Sequence, residues 1–128
     1  MNAPQGRFEI SERQGILILK PLRVDSQSQA ALDEKLKNLT AHGHKHLVVD
    51  LSAAEFISGV VVGVFLYYKQ LLLNRGGCLI LAAPEECARR ILDKTGLSSA
   101  LDLRATVDEA VDLAREKLGS GKWQVVEV

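Results

Sequence analysis

Two short segments, Leu47–Leu51 (LVVDL) and Cys78–Ala82 (CLILA), are apolar at nearly every position rather than at alternate ones. A strand solvated on one face alternates polar and apolar residues, so an unbroken apolar run reads as a strand covered on both faces, the usual condition of a parallel sheet. Parallel neighbours cannot be joined by a tight hairpin, and the connection must cross back over the sheet using a dozen or more residues. Between the two segments lies Val60–Tyr68 (VVVGVFLYY), rich in β-branched and aromatic residues and a strand by propensity alone. The need for a crossover outweighs that propensity. Residues 60–75 are expected to form a helix whose core face is Val61, Val64, Phe65, Tyr68, Leu71 and Leu72.

The flanking sequence fits the same plan. Phe8–Glu12 and Gly15–Leu19 read as two strands around a polar break at Arg13–Gln14, the second apolar on both faces. Pro21–Gln27 reads as a loop. Ser26 with Gln29 makes a capping box for a helix carrying Leu32, Leu36 and Leu39, and Gly43 is placed to end it. Pro84 suits the first turn of another helix, with Glu85 and Glu86 at its positive end. That helix has a core stripe of Cys87, Ala88, Ile91 and Leu92, and Gly96 stops it. Leu101–Leu103 is a short strand. Thr106 with Glu109 caps a last helix whose apolar face is Val107, Ala110, Val111, Ala114 and Leu118. The expected fold class is therefore α/β: a single domain with a mixed, mostly parallel sheet of four or five strands and about four flanking helices. Residues 1–7 are expected to be a flexible N-terminus, 8–119 the domain and 120–128 a C-terminal tail. The tail segment KWQVVEV reads as an added strand, a docking segment, or a chain end anchored by Trp123.

Composition narrows the function classes. The chain has 128 residues, enough for one sizeable core, and its sixteen basic and sixteen acidic residues cancel. No net field draws it to nucleic acid or to an anionic membrane. Val60–Tyr68, the longest apolar run, is about half the length of a bilayer span, so no direct membrane insertion is expected. Cys78 and Cys87 form neither a CxxC pair nor a disulfide framework. Met1–Gly6 is short and polar, without the order of a signal peptide. A cytoplasmic protein with reduced thiols is expected. The histidines of HGHKH (His42, His44, His46) alternate, yet no Cys or acidic cluster completes a ligand set nearby, so a polar loop is read there and no metal. There is no phosphate-cradling glycine loop and no nucleophile–base constellation, so neither a cofactor nor catalysis is expected.

The run Leu47–Gly63 (LVVDLSAAEFISGVVVG), then an amphipathic helix, then Arg75–Leu81 (RGGCLIL) and Lys94–Leu97 (KTGL), resembles a STAS domain of the bacterial anti-sigma factor antagonist type over roughly residues 8–118. The resemblance implies a non-enzymatic, protein-binding role in signal transduction and transcription regulation. An anti-sigma factor or related serine kinase would be the leading partner. In such domains an aspartate and a phosphorylatable serine follow the third strand, in a phrase like F-I-D-S-S-G. Aligned on Phe56–Ile57, the aspartate position holds Ser58 and the phosphoacceptor position holds Gly59, with Val60 and Val61 in place of the small residues. The loop often written G-x-L-D is here Leu22–Asp25 (LRVD), which keeps the aspartate.

These residues define the expected partner-binding surface: Leu22, Arg23, Val24, Asp25, Ser58, Gly59, Val60 and Val62. Ser58 has two readings. It can cap the following helix, or it can accept a phosphate one residue early, where a helix N-terminus favours the added charge. The helix is apolar nearly all round, because Val60, Val62, Leu66, Tyr67 and Leu73 lie outside its core face. Such a helix is either sandwiched or partner-facing, and a homo-oligomer or hetero-complex follows from the second case. Two other functions fit the same sequence: an adaptor or scaffold subunit of a signalling or transport complex, and a small-ligand or nucleotide sensor using a strand-end cleft near Asp25 and Asp50.

Overall fold

The computed structural model describes residues 8–22, 29–54, 59–84, 86–94, 96 and 101–127, and for 86–88, 91 and 119–127 it describes the backbone alone. Among these residues are five strands and four helices: β1 (Phe8–Arg13), β2 (Ile16–Pro21), α1 (Gln29–Ala41), β3 (His46–Asp50), α2 (Gly59–Asn74), β4 (Cys78–Ala82), α3 (Glu86–Lys94), β5 (Asp102–Arg104) and α4 (Val107–Glu127). The strands lie side by side in chain order. β1 runs antiparallel to β2, and every later pairing is parallel. The expected α/β plan with one antiparallel edge strand is the fold.

The hairpin turns one residue later than the polar break suggested. Gln14 (φ 55°) and Gly15 (φ 86°) are both left-handed, the requirement of a two-residue turn that matches strand twist. Within the sheet, alternate side chains serve different layers. Leu17, Leu19, Leu47, Val49, Leu79 and Leu81 pack with the buried side chains of α1, α2 and α3. Ile16, Ile18, Val48, Cys78, Ile80 and Ala82 pack on the other side against Ala110, Val111 and Ala114 of α4. This two-sided burial is the physical reason the central strands carry no polar alternation.

Helix ends follow backbone chemistry. At the end of α1 the His44 N–H donates to the Leu39 carbonyl (3.1 Å) and the Gly43 N–H to Thr40 (3.2 Å), with Gly43 at φ 92°. The end of α2 repeats the arrangement: Gly77 donates to Leu72 (2.7 Å) and Gly76 to Leu73 (3.1 Å), with Gly76 at φ 83°. Both are Schellman ends, which satisfy carbonyls the helix leaves open. Gly77 has a second constraint, since a Cβ there would run into the Lys45 carbonyl whose oxygen accepts the Cys78 N–H at 2.8 Å.

At α4 the Thr106 hydroxyl accepts the Glu109 N–H (3.1 Å), the hydroxyl half of the expected capping box. Arg13 reaches Asp108 at 2.8 Å, but both side chains are largely solvated and the pair adds little. Other expectations are corrected. α3 begins at Glu86, so Pro84 sits at the strand-to-helix corner rather than in the first turn. β5 is displaced by one residue to Asp102–Arg104, and Leu101 just before it is buried in the core. α4 runs on through Glu127, so residues 122–127 are helical and do not form an added strand. The proposed Ser26 cap and the Cys87, Ala88 and Ile91 side chains lie outside the described residues, while Leu92 is fully buried. No helix among the described residues is long and apolar enough to cross a membrane.

Phe65 is completely buried at the centre of the larger core. Phe65→Ala is expected to lower unfolding free energy by about 3–5 kcal/mol in urea titration, through lost transfer energy and an unfilled cavity. Gly77→Ala is expected to cost about 1–3 kcal/mol, because backbone rather than a pliable side chain must yield.

Candidate functional site

Parallel strands deliver their following loops to one edge of a sheet. β2 and β3 are adjacent, pairing Leu17 with Leu47, Ile18 with Val48 and Leu19 with Val49. The chain after Pro21 and the chain after Asp50 therefore emerge side by side. Leu22, the first residue past β2, is 37% exposed. After β3 the chain turns at once. The Asp50 carboxylate accepts the Ser52 N–H at 3.0 Å, Leu51 donates to the Ala82 carbonyl at 2.8 Å, and Ala54 donates to Leu51 at 3.0 Å. Leu51 and Ala54 are fully buried and hold this turn to the core.

α2 then opens at Gly59, where a side chain would meet open space. Val60 is 57% exposed. Val62 is corrected: at 1% exposure it belongs to the core, so it supports the surface from below and presents nothing to a partner. The reason is angular. The buried stripe of α2 is Val61, Val62, Phe65, Tyr68 and Leu72, while Val64 and Leu71, expected inside, sit half-buried on the flanks. Of the other expected site residues, Arg23, Val24, Asp25 and Ser58 lie outside the described residues, as do Phe56 and Ile57.

Contacts that the sequence did not signal hold α2 against α1. The Tyr68 hydroxyl donates to the Asp33 carbonyl (3.3 Å), and the Arg75 guanidinium donates to the Thr40 carbonyl (3.2 Å) near the end of α1. Burial, then the neighbourhood of Asp33, pushes the Tyr68 phenol up to about 12. The exposed Tyr67 ring meets Tyr68 edge-on, with centroids 4.9 Å apart. Pairs of this kind depend on residues far apart in the chain, so no local pattern announces them.

The remaining candidates are accounted for by packing. Cys78 is buried under α4, and desolvation raises its thiol to about 11, which suits a core residue rather than a nucleophile. His42 bonds the Asn38 carbonyl through Nδ1 at 2.7 Å, and His46 begins β3 with its basicity lowered by burial and by Lys45. Among the described residues no three His, Cys, Asp or Glu side chains gather. Asp50 spends one oxygen on its own loop.

The family model of the STAS domain matches residues 7–110. The chain belongs to the STAS domain family. A search of curated proteins finds no match. Among solved structures the chain is similar to a putative anti-sigma factor antagonist from Thermotoga maritima, at 20% identity and a TM-score of 0.80, covering 90% of this chain and 99% of that one. It is also similar to the unphosphorylated anti-sigma factor antagonist SpoIIAA (20% identity, TM-score 0.72, covering 85% and 96%). A sulfate transporter family protein from Wolinella succinogenes shares the fold at 15% identity and a TM-score of 0.65, covering 85% and 92%. In this STAS domain the chain after β3 turns at residues 51–54, anchored by the buried Leu51 and Ala54, and α2 from Gly59 buries one apolar face while leaving Val60, Tyr67 and Leu73 exposed.

Tyr68 provides a pH test. Its phenol keeps the proton to about 12 in the folded state, against an ordinary value of 10.0. Between those limits the unfolded chain has released the proton and the native chain has not, so native stability falls as pH rises. Relative to Tyr68→Phe, the wild type is expected to lose roughly 1.4 kcal/mol per pH unit across that window, measured by urea unfolding.

Proposed function

We propose that this STAS domain is a non-enzymatic, protein-binding regulator of the anti-sigma factor antagonist type, acting in the cytoplasm on an anti-sigma factor or a related serine kinase. The supporting observation is the edge where the loops after β2 and β3 emerge together. Leu22 and Val60 are both exposed large hydrophobics there, and among the described residues the other exposed large hydrophobics are Ile10, Tyr67 and Leu73. The binding surface is Leu22, Arg23, Val24, Asp25, Ser58, Gly59 and Val60, with Val62 as its buried support. Leu22 and Val60 supply desolvation energy, and Arg23 and Asp25 supply partner choice.

Control differs from that of relatives with a serine at the acceptor position, since Gly59 has no hydroxyl to phosphorylate. The surface therefore binds constitutively unless Ser58 takes the modification. A phosphate there would bring about two negative charges to a contact built on Leu22 and Val60 and release the partner. An adaptor role inside a larger assembly is the second reading, favoured by the extent of exposed apolar surface along α2.

Titration of the chain into a purified kinase-type anti-sigma factor from the same organism tests the main reading. Val60→Lys is expected to weaken binding by about 2 kcal/mol or more, with folding unchanged. Equal affinity of the two proteins would remove Val60 from the surface. Incubation with the kinase and ATP should leave Gly59 unmodified. Gly59→Ser, which has open space for its side chain, should fold normally and become an acceptor. Peptide mapping of wild type and Ser58→Ala decides whether Ser58 is modified.

A further inference from the structure

α2 carries a surface that the binding edge does not use in full. Its exposed positions are Gly59, Val60, Gly63, Tyr67, Gln70, Leu73 and Asn74, and every one is uncharged. The helix's single charged side chain, Lys69, is half-buried. The chain is 25% charged residues, yet this outward helix face of about four turns carries none. Val60, Gly63, Tyr67, Gln70 and Asn74 follow one another at spacings of three and four, so they form a single stripe. Tyr67 is 61% exposed and Val60 57%. At Gly59 and Gly63 a Cβ would meet nothing within 4 Å, so the stripe has a notch over one turn and a projecting aromatic ring one turn later.

We infer that this face docks a second copy of the same chain, α2 against α2 in antiparallel order about a two-fold axis at Gly63. Notch and projection then meet twice: each Tyr67 ring lies over the Gly59–Gly63 notch of the other copy. Charge selects this occupant. A neutral face gains nothing from a charged partner and desolvates it at a cost, whereas two copies of a neutral face meet without repulsion. Two-fold pairing needs a self-complementary patch, and a notch beside a projection on one stripe is such a patch. Its size sets the strength. A sixteen-residue helix is about 24 Å long, which places the contact at the low end of interface areas and makes the dimer reversible.

The dimer stands independently of the partner assignment. Its consequence for regulation rests on that assignment: Gly59 and Val60 belong to both contacts, so self-association excludes the partner. A domain without a serine at position 59 would then be controlled by its own concentration.

Sedimentation velocity of the full chain over a wide concentration range tests the inference. The expected result is a monomer–dimer equilibrium in the micromolar range. Tyr67→Lys and Gly63→Leu should each weaken it at least about tenfold, with circular dichroism and thermal unfolding unchanged, since both positions are exposed. Gly63→Cys, at the axis, should give a covalent dimer on mild oxidation. Ile10→Lys, on the outer strand β1, should leave the equilibrium as it was. A chain that stays monomeric at every concentration overturns the inference. So does a dimer that survives Tyr67→Lys and Gly63→Leu, or one that Ile10→Lys abolishes. A dimer with the expected variant pattern, in a protein that binds no kinase-type partner, supports the self-association and removes only the partner reading.

Discussion

The β3–β4 ladder runs parallel over five residue pairs, from His46 with Cys78 to Asp50 with Ala82, so the chain leaving Asp50 must travel back along the whole sheet before Cys78 can begin. α2 is that return path. Both of its ends are tied to the same ladder: the turn before it by the Leu51 N–H on the Ala82 carbonyl, and the turn after it by the Cys78 N–H on the Lys45 carbonyl. Gly77 lets the backbone come that close. Phe65, fully buried midway along, seats the helix on the sheet, and Tyr68 and Arg75 lock it to α1. With position and rotation so constrained, the helix has no freedom to hide its second apolar face.

That second face is where structure meets function. A helix apolar nearly all round would normally be enclosed, but among the described residues the layer on this side of the sheet consists of α1, α2 and α3, and Gly59, Val60, Gly63, Tyr67 and Leu73 of α2 are exposed. Val60 and Tyr67 remain in solvent at a free-energy cost that the isolated domain does not recover. Both proposed contacts, with a partner and with a second copy, bury these residues. The family resemblance places a phosphorylatable serine where this chain carries Gly59, and the proposed function therefore rests on occupancy of the surface rather than on its covalent modification.

Much of the fold was legible because the strongest signals were local. The apolar runs 47–51 and 78–82 carried their two-sided burial on their face, and Gly43 ended its helix through a backbone conformation that other residues resist. The crossover helix was legible only by combining the two strands, since VVVGVFLYY favours a strand on its own. Finer assignments failed where the answer depended on helix rotation. Val62 is in the core and Val64 half-buried because α2 turns Val61, Val62, Phe65, Tyr68 and Leu72 inward, an orientation that depends on its packing partners rather than on its own sequence. For the tail the sequence left a strand, a docking segment and an anchored end open; the strand is excluded because an already formed α4 extends through Glu127 at little cost.

For the site, residue identity settled what chemistry is absent at one position: Gly59 has no hydroxyl, and no folding can supply one. The sequence also determined that α2 carries more apolar surface than one core face needs, since composition and spacing are properties of the chain itself. Only the tertiary structure decided which apolar residues meet water. Burial is a relation between elements distant in sequence, and it was the packing of α2 on the β3–β4 ladder and on α1 that enclosed Val62 and left Val60, Gly63 and Tyr67 facing outward.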